Sequence, residues 1–313
     1  MQPETPQTGS EYRPRIYCAV STIGRWGPLY RLLQNIENAQ GDAEVKVAIC
    51  NQSTTEPPSS FIRHINSLST TVQITTSSLH GLSAGRNAAA NEFPGYGDYY
   101  WFPNDTTLPT EDFFHRLRRL AATIASAPHL IAGTIQDPTG PRSKIPSGID
   151  APYLLEPISK IRIWKAIEPV TLVRTDIFRS LGGFDEQLGT GAPSPWQSGE
   201  GTDLYLRIME QVPAPTILWD NSLSVHGVGE FAGLSKQQKR SKIRSYARGN
   251  GYIYRKHNYP LALRLWPLVS SATVWLRKPK LYSISDAYLQ LIGRLEGLYR
   301  KSSPQGTGQP WLR

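Results

Sequence analysis

The order of its apolar runs constrains this chain more than any other feature. Short strand-like runs alternate with segments of helical spacing through the first 135 residues. Residues 16–21 (IYCAVS) form an apolar run, a turn follows at Gly24 to Pro28, and LYRLLQNI then repeats at helical spacing. The pattern predicts further strands at 45–51, 72–76, 99–102 and 130–135. Helices are predicted near 61–68, with Ser59 or Ser60 as cap, at 82–91 and at 111–125. Such alternation implies an α/β fold with a mixed, mostly parallel sheet flanked by helices. Ligands in these sheets sit outside the carboxyl ends of the strands.

After Asp137 the pattern changes. Residues 137–160 read as a long loop, a strand returns at 170–174, and a short helix runs to Leu181. Gly182 to Arg207 (GGFDEQLGTGAPSPWQSGEGTDLYLR) is a glycine-rich loop ending at a helix over 202–211. A strand at 216–219 precedes His226 in a glycine-flanked loop, VHGVGE. Residues 235–257 and 284–299 are predicted helices.

Hydrophobic content of 39% with 10% aromatics, in 313 residues, is ample for a core and excludes global disorder. Cys18 and Cys50 both lie inside strand-like runs, which reads as small core residues in a reducing compartment. Residues 1–15 are polar and Pro-rich, the pattern of a mobile tail and not of a secretory signal. The +9 net charge is unevenly placed. Between Phe231 and Ser285 stand twelve Lys and Arg and no Asp or Glu, so the remainder is slightly acidic. That segment implies an anionic partner, whether phospholipid surface, phosphate-bearing substrate or nucleic acid. No nucleic-acid module accompanies it, so the expectation is no nucleic acid. Leu261, Leu265, Trp266, Leu268 and Leu276 accompany the charge, in a run broken by Arg264 and Pro267 and too short to span a bilayer. Residues 235–280 therefore read as an anionic-membrane contact or as a helical appendage packed on the main domain. The expected location is cytoplasmic, peripheral at the inner face of the cell membrane.

Candidate functional residues cluster at strand ends. Asp105, in the Asn104-Asp105-Thr106 turn, either holds a divalent cation (Mg²⁺ or Mn²⁺) or caps the turn. His226 is either a further metal ligand or structural. Arg86 can grip a phosphate, hold a carboxylate of a metal site, or form an ordinary ion pair. Glu200, read as lying in the loop just before the helix, can serve as general base; Asp203, in the first helical turn, reads better as structural. Asp185 and Trp196 are candidate acceptor contacts, Trp196 either by stacking on a sugar or as core.

Seven segments in order resemble family 2 glycosyltransferases of the GT-A fold, in bacterial polysaccharide-type versions. They are VSTIGR, ICNQS, GLSAGRNAA, YYWFPND, GGFDEQLG, GEGTDLYLR and YARGNGYIYRKH, spread over residues 14–257. The resemblance implies a Rossmann-like GT-A catalytic domain over 15–232, a tail at 1–14 and a basic helical region over 233–313. It implies inverting transfer from a nucleotide-diphosphate sugar to a hydroxyl of a glycan or lipid-linked acceptor, in polysaccharide biosynthesis at the cell envelope. Thr22, Gly24, Arg25, Asn51 and Ser53 would line the nucleotide pocket, Arg86, Asn104 and Asp105 the diphosphate region, and Asp105 with His226 the metal. Three positions depart from the family pattern: Asn51 and Asn104 replace carboxylates, and Gly201 stands where the family often has the base. The base therefore falls to Glu200, with Asp203 as the alternative. A protein that binds a sugar nucleotide without turnover, and a nucleotidyltransferase, are the rival readings.

Overall fold

The computed structural model describes residues 13–124, 126–138 and 153–299. Nine strands are found there: β1 Arg15–Thr22, β2 Glu44–Asn51, β3 Thr71–Thr76, β4 Tyr99–Trp101, β5 Leu108–Pro109, β6 Leu130–Gln136, β7 Leu154–Pro157, β8 Thr171–Arg174 and β9 Thr216–His226. The helices among the described residues are α1 Trp26–Ala39, α2 Ser59–Ser67, α3 Leu82–Ala90, α4 Phe113–Thr123, α5 Thr175–Ser180, α6 Glu200–Gln211, α7 Lys236–Lys256, α8 Leu261–Ala272, α9 Val274–Arg277 and α10 Ile284–Tyr299. The strands form one sheet in the order β3-β2-β1-β4-β8-β6-β9-β5, with β7 also on β9. The first four are parallel; β8 then runs antiparallel to both β4 and β6, which makes the sheet mixed.

Side-chain alternation along the central strands builds a core on each face. Tyr17, Ala19, Ala48 and Cys50 belong to one apolar cluster, and Ile16, Cys18, Val20, Val47 and Ile49 to the other. Both cysteines are free and buried, as expected. Helix α1 buries Leu29, Leu32, Leu33 and Ile36, the stripe that helical spacing dictates. Helix α3 approaches the sheet closely because its residues are small: a Cβ on Gly85 would lie 2.2 Å from Ser21 Oγ.

Some expectations shift. Helix α2 starts at Ser59 after Pro58, so neither serine caps it. Within the expected loop 137–160, residues 139–152 lie outside the described residues, but 154–157 form β7, tied by Trp219 Nε1 to Glu156 Oε1 at 2.9 Å. Strand β9 continues through the polar residues 220–222 to His226, instead of ending at 219. Asp220 is buried there by its ion pair with Arg116, 2.5 Å away, so a polar stretch stays in the sheet.

The basic helices pack on the main body. A Cβ on Gly249 of α7 would lie 2.5 Å from Ser198 O, in the loop before α6. Helices α7 and α10 meet through glycines: a Cβ on Gly293 would fall 2.3 Å from Arg244 O, and one on Gly297 2.1 Å from Arg248 O. Gly297→Ala should therefore destabilise the protein by about 1–3 kcal/mol, since backbone must move to admit the methyl group. Gly27→Ala, with open space around it, should leave stability equal or slightly raised. Paired urea unfolding curves check both.

Candidate active site at the strand ends

Strand β1 has β2 on one side and β4 on the other, and their carboxyl ends form a crevice. Thr22 closes β1 and is buried. Its hydroxyl donates to Asp105 Oδ2 at 3.2 Å and accepts from the Arg25 backbone N–H at 3.1 Å. Arg25 places a guanidinium nitrogen 2.6 Å from Asp105 Oδ1. Each Asp105 oxygen therefore faces a protein partner, Thr22 at Oδ2 and Arg25 at Oδ1. The Arg25 side chain remains 53% exposed, whereas the Asp105 side chain is fully buried. Burial pushes the Asp105 carboxyl up, and Arg25, Thr22 and Arg86 oppose that push.

The end of β2 is built by Asn51. Its Oδ1 accepts from Ser53 N at 3.0 Å and Ser53 Oγ at 2.8 Å, and its Nδ2 donates to Thr55 O at 3.0 Å. This loop touches the β1 loop at Gly24, whose φ of 89° favours glycine and where a Cβ would lie 2.8 Å from Ser53 Oγ. Thr22, Gly24, Arg25, Asn51, Ser53 and Asp105 thus come together as the sequence implied. His226 is exposed at the end of β9, opposite Leu108 in the register, three residues beyond Asp105. It ends a strand and does not sit in a loop as expected. Among the described residues no three His, Cys, Asp or Glu side chains gather as a metal cluster.

Of the alternatives for Arg86, the structure shows an ion pair within the protein. The guanidinium is wholly buried and bound to protein: to Glu168 Oε1, to Phe102 O at 2.9 Å and to Asn104 Oδ1 at 3.2 Å. Burial lowers its pKa to about 10, against the raising pull of Glu200, Tyr205 and Asp105, so it stays cationic at neutral pH. Sequence reading missed Glu168. Its Oε2 would lie 2.8 Å from a Cβ on Gly201, so this carboxylate occupies the space a side chain at 201 would need. The sequence signal was a lone Glu before Pro169 in a short turn, with nothing local to connect it to Arg86 or Gly201.

Gly199 adopts φ 94° and turns the loop into α6, whose first residue is Glu200. Glu200 is thus helical, not a free loop residue. Its Oε2 is enclosed and has no hydrogen-bond partner, and Gly189 lies against the carboxyl group. Burial raises the Glu200 pKa, and Arg86 partly offsets this. Asp203, one turn on, differs completely. Oδ1 meets His257 Nε2 at 2.8 Å and Lys256 Nζ at 2.6 Å, and Oδ2 accepts from Arg207 Nε at 2.9 Å. Burial alone would raise its pKa, but His257, Lys256 and Arg207 outweigh it and hold it at about 2. Arg207 also donates to Leu181 O and Gly183 O, and Lys256 also binds Asp185, so one cluster fastens the GGFDE turn, α6 and the end of α7 together. Trp196 is core and not an open sugar platform: it is 4% exposed and stacked on Tyr252, with centroids 4.4 Å apart and planes at 5°.

No known family model matches the chain, and no curated protein matches it. Solved structures do. TarS residues 1–349 from S. aureus align over 90% of this chain and 89% of that one, at 12% identity and a TM-score of 0.54. TarS in complex with UDP-GlcNAc aligns over 91% and 83%, at 13% identity and 0.56. The mannosyltransferase PcManGT from Pyrobaculum calidifontis, in complex with GDP-Man and Mn²⁺, aligns over 95% and 91%, at 11% identity and 0.56. At these identities the likeness is one of fold: a mixed α/β sheet flanked by helices, with a helical C-terminal segment.

The Asp203 cluster yields a stability prediction. A carboxyl depressed when folded stabilises above its unfolded pKa, near 4, and loses that contribution as pH falls through about 2. Wild type should lose about 2 kcal/mol from this group over that window. Asp203→Asn should cost about 3 kcal/mol at pH 7, because Lys256 and Arg207 lose their anion, and should flatten the acid slope. Chemical unfolding of both proteins across pH measures each effect.

Proposed function

We propose that the chain is an inverting glycosyltransferase, moving a sugar from a nucleotide-diphosphate donor to a hydroxyl of a glycan or lipid-linked acceptor. The observation that carries this reading is Glu200: a half-buried carboxylate whose enclosed Oε2 has no hydrogen-bond partner, sharing the field of Arg86 with Asp105 of the strand-end crevice. Fold likeness to proteins crystallised with UDP-GlcNAc and GDP-Man supports a sugar nucleotide as the ligand class.

In this reading the loops at Thr22–Arg25 and Asn51–Ser53 hold the nucleoside. The half-exposed Arg25 guanidinium faces the diphosphate as a hydrogen-bonding cation. Glu200 takes the proton of the acceptor hydroxyl as its oxygen attacks the anomeric carbon from the side opposite the leaving diphosphate. Its raised pKa makes it a stronger base than an exposed carboxylate, and Arg86 favours the ionised form that must start the step. Asp203 and Arg86 are positioning residues: one fastens α6, the other locks Asn104 and Glu168. Asp185 orients Lys256, and Trp196 props the loop before α6 from within. Asp105 would hold a divalent cation by one carboxylate oxygen if the half-exposed Arg25, which pairs with Oδ1 here, turned to the diphosphate; such ions commonly bind one carboxylate plus substrate phosphates. His226, on the adjoining strand end, is the second candidate ligand. Such a cation would neutralise charge on the leaving diphosphate.

Glu200→Gln should lower nucleoside diphosphate release from the donor, in the presence of acceptor, by about 10²–10⁴-fold, with little change in donor affinity. A raised folded pKa contributes stability below the unfolded value and loses it as pH rises through the folded value. The variant should therefore melt at or above the wild-type temperature at neutral pH. Unchanged turnover in Glu200→Gln overturns the assignment. Asn51 and Asn104, neutral where the family pattern has carboxylates, favour the second reading of binding without transfer, which calorimetric donor binding with no turnover would establish.

A further inference from the structure

Helix α8 is amphipathic in the wrong sense for a packed helix. Its buried residues are Pro267 and Ser271, and Arg264 lies on the same side, its Nε donating to Tyr259 O at 2.6 Å. Its exposed side carries Leu261, Leu265, Trp266 and Val269, at 66%, 44%, 67% and 57% exposure. At about 100° per residue these four, with Ala262 and Ala272, fill an arc of roughly 140° that holds no polar side chain. Leu276 of α9, 60% exposed, continues the apolar surface, and exposed Lys278 and Lys280 follow it directly. Arg277 is exposed beside them, with its guanidinium on Ser270.

The charge around this face separates two occupants. Several cations of α7 are matched by carboxylates: Lys239 and Arg240 face Asp286, Arg244 and Arg248 face Glu296, and Lys256 faces Asp185 and Asp203. The segment from Phe231 to Ser285 holds no acidic residue, and Asp286 and Glu296 of the neighbouring α10 are engaged by α7, so Arg277, Lys278 and Lys280 add up as positive charge beside the α8 face. A second copy docking face to face would bring these cations against their own kind. An anionic lipid surface meets both properties at once, taking the leucines and Trp266 into the acyl boundary and the lysines at the headgroups. Helix α8 has 12 residues, and no described helix is long and apolar enough to cross a membrane, so the contact lies in the interface plane.

We infer that the α8–α9 face docks this protein peripherally on an anionic phospholipid surface. The contact does not depend on the catalytic reading and would hold if that reading failed. The test is co-sedimentation of the full chain with vesicles of phosphatidylcholine containing phosphatidylglycerol, against pure phosphatidylcholine. Wild type should bind the anionic vesicles, with partitioning that falls as salt rises. Lys278→Gln with Lys280→Gln should weaken binding about thirtyfold, at roughly fivefold per cation. Leu265→Ser with Trp266→Ser should weaken it by tenfold or more, with the far-UV circular dichroism spectrum and melting temperature retained because both side chains face solvent. Wild type that ignores anionic vesicles, or binds both compositions equally, overturns the inference. So does a dimer in light scattering that Leu265→Ser with Trp266→Ser dissolves, which would make the face a contact between copies.

Discussion

Burying a guanidinium is expensive unless carboxylates and carbonyls surround it, and Arg86 is buried completely. Its position follows from the small residues of α3, which let that helix lie close enough to β1 for a long side chain to reach under the strand ends. There it binds Glu168, ahead of β8, along with the carbonyl of Phe102 and the side chain of Asn104 after β4. The same charge acts on Asp105 in the crevice and on Glu200 at the start of α6. One cation therefore couples the sheet, the metal-candidate turn and the base-candidate helix. Removing it would leave Glu168 without its cation and take the opposing charge from Asp105 and Glu200.

Two carboxylates on one helix show how environment separates roles. Asp203 is surrounded by His257, Lys256 and Arg207, and its pKa falls to about 2. Glu200, three residues earlier, has only the partial influence of Arg86 and an oxygen with no hydrogen bond, and its pKa rises. A carboxylate already saturated by partners is poorly suited to accept a proton. One left short of partners is suited to it.

Much of the sheet was legible because it rests on local periodicity. The strands β1, β2, β3 and β6 and the helices α1 and α4 follow from spacing alone. The residues that meet in the crevice were legible for the same reason, since they stand at strand ends. What sequence could not show were partners brought together across long separations. His257 meets Asp203 over 54 residues, and Glu168 meets Arg86 over 82. Whether Trp196 was core or a sugar platform stayed open in sequence because Tyr252, which covers it, lies on a distant helix. The basic segment was legible as charge, but not as pairing: Asp286 and Glu296 lie just beyond the acid-free window and take up much of it.

A crystal structure with a bound nucleoside diphosphate tests the central claim most directly. The account predicts the nucleoside between the Thr22–Arg25 and Asn51–Ser53 loops, the diphosphate against Arg25 and Asp105, and the Glu200 carboxylate facing the space beyond the terminal phosphate. A nucleotide bound elsewhere, with the strand-end crevice still closed by the Arg25–Asp105 pair, would contradict it.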